Sequence, residues 1–278
     1  MSYKILSERS VPLRLTALLS LIFFFSGLAS LFYQVAWQRI LTVHYGVGEI
    51  SITLIISIYM MGLGLGALLG GFLAERVKNK IALYFVVELL IACFGLISWQ
   101  FLDFLGRYTA GSSYMVSFVY MLLFLSLPTL LMGITLPLLV KIFNSLRHDF
   151  LSTVSFLYFI NTIGAAVGSV FSSYVIISLF GLDIAIYLAA AINFTLAVLI
   201  LMAKNIPVIQ EETTSFPDQT KDKDNTFGLL AYLFVFVTGF LALGYEIVWF
   251  RMVGILVKAS PYAFSTVLSV YLFGELFN

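Results

Sequence analysis

Apolar residues fill long stretches of this chain, and short polar turns separate one stretch from the next. The stretch from Leu15 to Gln38 has no charged residue and exceeds the ~20 residues that a helix needs to cross a bilayer. Inside lipid every backbone N–H and C=O needs a partner within its own segment, so each stretch must be helical. The pattern therefore predicts an all-α polytopic membrane bundle of about eight transmembrane helices.

Composition supports a membrane protein and excludes an ordinary soluble domain. Of the 278 residues, 61% are hydrophobic and 10% are charged, and the mean hydropathy is +1.05. Soluble domains carry roughly 25% charged residues. A net charge of +1 gives no reason to expect a nucleic-acid partner. The lipid bilayer is the partner that the composition predicts.

The polar segments divide the chain into three parts. Residues 1–203 contain six of the predicted helices and form a first membrane half. Residues 204–226 are the one polar linker, whose composition is too hydrophilic to bury a core. Residues 227–278 contain two further helices, and we interpret them as the start of a second half that is cut short.

Basic residues predict the orientation in the membrane, since Lys and Arg accumulate in cytoplasmic loops. With a cytoplasmic N-terminus, an alternating topology places 11 of the 15 basic residues on the inner side. The exceptions are Arg39, Arg107, Arg251 and Lys258. We therefore expect a multi-pass protein of the cell (inner or plasma) membrane, with both ends and the linker in the cytoplasm.

The stretch from Ser26 to Gly71 returns near the C-terminus without a gap. A shared Tyr-[Gln/Glu]-x-x-Trp-x-Arg carries the match, and these residues are not the apolar ones that membrane helices share by chance. The pattern indicates an internal duplication of two membrane halves. The aligned pairs are Gly27 with Gly239, Tyr33 with Tyr245, Gln34 with Glu246, Trp37 with Trp249, Arg39 with Arg251, Tyr59 with Tyr271 and Gly62 with Gly274.

Four segments follow one another along the chain: SGLASLFYQVAWQRIL, MGLGLGALLGGFLAERV, LPTLLMGITLPLLVK and LYFINTIGAAVGSVFSSY, in that order. Together they resemble the membrane part of the fused major-facilitator-like/spermidine synthase family. The non-apolar residues that carry the resemblance are Gln34, Trp37, Arg39, Pro128, Pro137 and Asn161. The turn with Gly71, Glu75, Arg76 and Lys80 is also similar to part of the inner-loop pattern of major facilitators.

The resemblance implies a transporter-like, major-facilitator-like module that binds or moves a small organic cation such as a polyamine. The alternative is a non-transporting module that anchors or regulates a separately encoded polyamine aminopropyltransferase. A second copy of the chain is a further potential partner. We expect no catalytic residues, cofactor or metal site here, because no glycine-rich turn follows a β-branched strand and no stretch has metal-ligand spacing.

Charged residues inside a bilayer cost roughly 2.5–3.5 kcal/mol each, so each needs a physical reason. Glu88 and Glu246 are the two carboxylates predicted within helices, with Gln34 as the repeat partner of Glu246. One interpretation makes both carboxylates proton- or cation-binding groups. The other makes each a hydrogen-bonding partner between helices.

The remaining candidates sit at the outer side or within the fifth helix. Arg39 and Arg251 are either interfacial anchors, beside Trp37 in the case of Arg39, or members of a gate with Glu49 or Glu246. Asn161 is an intramembrane amide that bonds between helices or contacts a ligand. The full set of candidate binding residues is Gln34, Arg39, Glu88, Asn161, Glu246 and Arg251.

Small residues and prolines predict how the helices pack. Gly62, Gly66 and Gly70 form one stripe, and Gly164 and Gly168 form another, and we expect both stripes to bring helices close together. Pro128 and Pro137 lie within one predicted helix, each removing a backbone hydrogen bond, so we expect that helix to be kinked or partly broken.

Overall fold

The computed structural model describes residues 13–45, 49–109, 111–147, 150–203, 225–256 and 262–275. Within these ranges almost every residue is helical and none lies in a strand, which confirms the all-α prediction for that part of the chain. The helices are α1 (Leu13–Tyr45), α2 (Glu49–Arg76), α3 (Lys80–Thr109), α4 (Tyr114–Arg147), α5 (Phe150–Phe171), α6 (Leu182–Ala203), α7 (Asn225–Leu256) and α8 (Ala263–Glu275). Helix α5 continues through a π-helical turn, Ser172–Ile177, and a last helical turn, Ser178–Phe180.

Six helices, α1 to α6, are long and apolar enough to cross a membrane, judged on the described residues. The chain is therefore an integral membrane protein with several helices able to span the bilayer. Helices α7 and α8 contain shorter apolar stretches, Leu233–Ala242 and Ser265–Gly274. The total of eight spans and the major-facilitator-like repeat stay predictions.

Helix α2 packs along α4 through its glycine stripe. A Cβ atom on Gly66 would lie 2.9 Å from the Gly133 Cα, and one on Gly70 would lie 2.8 Å from the Ile134 Cα. Backbones approach this closely only where neither helix presents a bulky side chain. The prediction that this stripe packs helices together is confirmed.

Helices α1 and α5 form the second glycine contact. A Cβ atom on Gly168 would lie 2.6 Å from the Leu28 carbonyl oxygen, and Gly164 faces the backbone of Phe24 in the same way. From the other side, a Cβ atom on Gly27 would lie 2.5 Å from the Asn161 carbonyl oxygen. Glycines of both helices therefore let α1 and α5 touch through their backbones.

Helix α1 is the centre of the first six helices, because it contacts each of the others. Its largest fully buried side chains are Trp37, Tyr33 and Phe23. Helix α3 packs mainly on α6 and α4, and it also contacts α1. Polar groups on the facing sides of α1 and α3 are consequently enclosed by the bundle rather than by lipid.

Helix α4 runs without interruption through both of its prolines, Pro128 and Pro137. The expected partial break is therefore wrong, and a kink stays a prediction. The irregular backbone lies instead in the π-helical turn after α5, where an extra residue per turn changes the direction of the side chains.

The two last helices pack differently from the first six. Helix α8 lies on α5 and α7, whereas α7 has few contacts with the rest of the bundle. Residues 204–224, almost the whole predicted linker, lie outside the described residues. The linker, the domain boundaries and the membrane orientation therefore stay predictions.

Candidate functional site

The buried side of α3 determines where Glu88 points. Buried residues recur every three or four positions along this helix, which is the period of one helical face. Tyr84, Glu88, Ile91 and Gly95 lie on this face, and Glu88 is 0% exposed. The carboxyl group therefore lies inside the bundle and not against lipid.

Glu88 lies about 12 Å along α3 from Lys80, at 1.5 Å per residue. That depth is within the hydrocarbon core of a bilayer if α3 spans it. A carboxyl group at this depth needs hydrogen-bond partners from the protein, because the hydrocarbon core supplies no water to take their place.

One hydroxyl group satisfies part of this need. Ser26 Oγ on α1 donates a hydrogen bond to Glu88 Oε1 over 3.1 Å. Glu88 Oε2 has no hydrogen-bond partner among the described residues. The Tyr84 hydroxyl, one turn earlier on α3, faces both this carboxyl group and Ser26, without the geometry of a full hydrogen bond to either among the described residues.

Tyr33 extends this cluster along α1. Its hydroxyl group is buried, has no hydrogen-bond partner in the described part of the chain, and interacts electrostatically with Glu88. It lies against Gly95 of α3, where any side chain would collide with the ring. We call Ser26, Tyr33, Tyr84 and Glu88 the carboxyl cluster.

Aromatic and hydroxyl groups hold the carboxyl cluster in place. The Tyr33 ring stacks on Trp37 with a centroid separation of 4.7 Å, and Trp37 Nε1 donates to Ser98 Oγ over 3.0 Å. On the α2 side, Tyr59 Oη lies 3.1 Å from Ser30 Oγ. Trp37 is 1% exposed, so it lies in the core of the bundle.

No basic side chain pairs with Glu88 among the residues that the structure describes. An acidic group enclosed in this way has an unused oxygen atom and the Tyr84 hydroxyl beside it, and the Tyr33 hydroxyl lies about 10 Å further along α3, against Gly95. These oxygens and the tyrosine rings are the groups that bind a proton or an ammonium ion in proteins. The carboxyl cluster is therefore the candidate functional site.

Two other predicted residues, Asn161 and Gln34, lie against or on α1 at different levels. Asn161 Oδ1 lies against Gly27, the neighbour of Ser26, where a Cβ atom would be 2.6 Å away. Gln34 is 4% exposed, and its Nε2 has no partner in the described ranges. Gln34 lies about 12 Å further along α1 than Ser26.

Arg39 belongs to a separate cluster, about 20 Å along α1 from Ser26. Its Nη2 donates to Ser173 Oγ over 2.9 Å, and its guanidinium group lies 5.7 Å from the centroid of the Tyr262 ring. Ser173 also hydrogen-bonds Ser265 of α8. Arg39 thus joins α1, the π-helical turn and the start of α8.

The side chains of Glu246, Arg251 and Glu49 lie outside the described residues, although the helices that carry them are described. The proposed gate between Arg39 or Arg251 and these carboxylates therefore stays a prediction. The prediction that Gln34 and Glu246 lie at equivalent depths in the two halves likewise stays a prediction.

Sequence reasoning selected Glu88 but missed Tyr33, Tyr84 and Ser26 as its neighbours. One signal was available, because Tyr84 precedes Glu88 by four residues and so lies on the same helical face. Ser26 and Tyr33 come from another helix, and only the packing of α1 on α3 identifies them. No family model, curated protein or solved structure matches this chain.

Proposed function

We propose that this integral membrane protein binds a small organic cation of the polyamine class at the carboxyl cluster. The single observation that carries the proposal is the complete burial of Glu88 without a basic partner among the described residues. A cation that enters the bundle supplies the charge that this carboxylate lacks.

The chemistry of an ammonium group fits these neighbours. Its N–H donors match the oxygens of Glu88 and of Tyr84, whose hydroxyl faces the carboxyl group from one turn earlier on α3. The sequence resemblance to the membrane part of spermidine synthase-like proteins independently favours a polyamine over other cations.

Movement of the cation requires the bundle to open, because Glu88 has no exposed surface. The glycine contacts of α2 with α4 and of α1 with α5 place smooth backbone surfaces against each other. Surfaces of this kind can shift without reordering large side chains. We propose a transporter-like cycle in which such a shift exposes Glu88.

Binding of spermidine to the purified protein in lipid nanodiscs tests this function. Glu88→Gln keeps the volume and removes the charge, so we expect spermidine binding to weaken by roughly 10- to 100-fold, the loss of one charge-assisted hydrogen bond. Glu75→Gln, which changes an exposed carboxyl group at the end of α2, is the matched control and leaves binding unchanged. Wild-type protein that binds no spermidine would contradict the proposal.

A second function is favoured by the exposed aromatic side chains of α7. Tyr245 and Trp249 are 64% and 55% exposed, and they present a surface that no described helix covers. This surface suits the alternative in which the chain anchors a polyamine aminopropyltransferase. Under this alternative the enzyme co-purifies with the chain, Trp249→Ala weakens that association, and spermidine does not bind to the chain alone.

A further inference from the structure

Every group that acts on Glu88 in the described structure is uncharged or weakly acidic. Ser26 and Tyr33 face it from α1, and Tyr84 faces it from its own helix. Tyr59 of α2 and Cys93 of α3 act in turn on Tyr33. Helices α4 and α6 also pack on α3, but none of their groups is among those acting on Glu88.

The hydrogen bonds around Glu88 are too few for an ionised carboxylate. Two carboxylate oxygens offer about four acceptor positions, and only Ser26 fills one of them. The Tyr84 hydroxyl faces the carboxyl group without full hydrogen-bond geometry, and the Tyr33 hydroxyl, about 10 Å further along α3, has no partner among the described residues. Buried charges without partners are avoided in proteins by binding or losing a proton.

We propose that Glu88 carries a proton in this closed conformation and releases it when the organic cation binds, so that the site exchanges one for the other. This inference rests on the proposed function and names the proton as the ion whose release accompanies binding of the organic cation. The O–H bond of the carboxyl group breaks, and its proton leaves to the aqueous phase. The carboxylate that remains accepts hydrogen bonds from the ammonium group.

The charge of the site is the same in both states of this exchange. A neutral carboxyl group without ligand and a carboxylate with one ammonium group both carry no net charge. The bundle therefore closes over Glu88 in either state without enclosing an unpaired carboxylate, whereas the further ammonium groups of a polyamine need partners outside the carboxyl cluster. If Glu88 is ionised and no cation is bound, closing the bundle would enclose an unpaired carboxylate. The empty bundle therefore returns to the closed conformation only after Glu88 has bound a proton.

Infrared difference spectroscopy of the protein in lipid membranes tests the protonation directly. We expect the C=O stretching band of a protonated carboxyl group at neutral pH, its loss in Glu88→Gln and its retention in the control Glu75→Gln. Ser26→Ala removes the one hydrogen bond to Oε1 and should shift the band to higher frequency while keeping it. Absence of the band in the wild-type protein, or its persistence in Glu88→Gln, would overturn the protonation.

Proton release on addition of spermidine to weakly buffered protein tests the exchange. We expect about one proton released per cation bound, and binding that weakens about tenfold per pH unit on the acid side. Spermidine binding without proton release would overturn the exchange and leave the cation-binding function standing. Failure of spermidine to bind, with the infrared band present, would refute both the exchange and the proposed function while leaving the protonated Glu88 in place.

Discussion

Helices α1 and α7 carry the same motif in opposite surroundings. Tyr33 and Trp37 of α1 are 0% and 1% exposed, whereas their repeat partners on α7, Tyr245 and Trp249, are 64% and 55% exposed. The same local sequence is thus enclosed by protein in one helix and left uncovered by the described residues in the other.

Neighbouring helices account for this difference. Gly27 of α1 lies against the backbone of Asn161, whereas its partner Gly239 has nothing within 4 Å of a Cβ position. On α3, Gly95 makes room for the Tyr33 ring and Ser98 accepts the Trp37 N–H. The motif therefore acts through the small and hydroxyl-bearing residues that face it. A repeated sequence alone does not reproduce the site.

We expect the largest difference in stability between equivalent substitutions in α1 and α7 at the two tryptophans. Trp37→Ala removes a buried ring that stacks on Tyr33 and contacts Phe94 and Phe124, so it should lower the free energy of unfolding by about 3–5 kcal/mol. Trp249→Ala should change it by less than about 0.5 kcal/mol. Unfolding in mixed detergent micelles, titrated with SDS, measures both values. Equal losses in the two variants would contradict the difference between the helices.

Alanine at the paired glycines should produce effects of opposite sign. A Cβ atom on Gly27 would lie 2.5 Å from a backbone oxygen of Asn161, which cannot turn away, so Gly27→Ala should destabilise the protein by about 1–3 kcal/mol. Gly239→Ala meets nothing and should stabilise α7 by up to about 1 kcal/mol through helix propensity. The same SDS titration measures both variants. A stabilising Gly27→Ala would show that α1 and α5 are further apart than described.

The helices themselves were predictable from the sequence, because lipid leaves a long apolar stretch no other backbone structure. The glycine stripe of α2 was predictable for a similar reason, since its spacing of four residues places Gly62, Gly66 and Gly70 on one face. Glu88 was identified by the cost of a charge in a bilayer. Each of these inferences uses only residues within one helix.

Contacts between helices were not predictable in the same way. The sequence indicates the position of Trp37 along α1 but not which side of the helix meets α3, so the burial of Trp37 in the core, at 1% exposed, was not predictable. The hydrogen bond from Arg39 to Ser173 depends on a π-helical turn, and no proline or glycine lies within that turn to signal it. Such features arise from the packing of two helices and carry no periodic signal.

The smallest effect is expected at the paired tyrosine hydroxyls, and its sign is informative. The Tyr33 hydroxyl is buried without a hydrogen-bond partner in the described structure, so its removal in Tyr33→Phe recovers part of the cost of burying it. The oxygen leaves a void against Gly95 that offsets some of this gain. We expect a net stabilisation of about 0.5–1 kcal/mol for Tyr33→Phe, and a change for Tyr245→Phe that stays within about 0.5 kcal/mol.

Thermal unfolding of matched nanodisc samples measures this last pair, with Tyr108→Phe as a control at an exposed tyrosine of α3. A clear loss of stability in Tyr33→Phe would mean that the hydroxyl has a partner, and Glu88 is the ionisable group that acts on it most strongly. Repeating the substitution in Glu88→Gln separates the two cases. If Tyr33 and Glu88 bond each other, the effects of the two substitutions are not additive. If the Tyr33 hydroxyl has no partner, the effects of the two substitutions add. The different responses of Tyr33→Phe and Tyr245→Phe then arise only from the different burial of the two tyrosines.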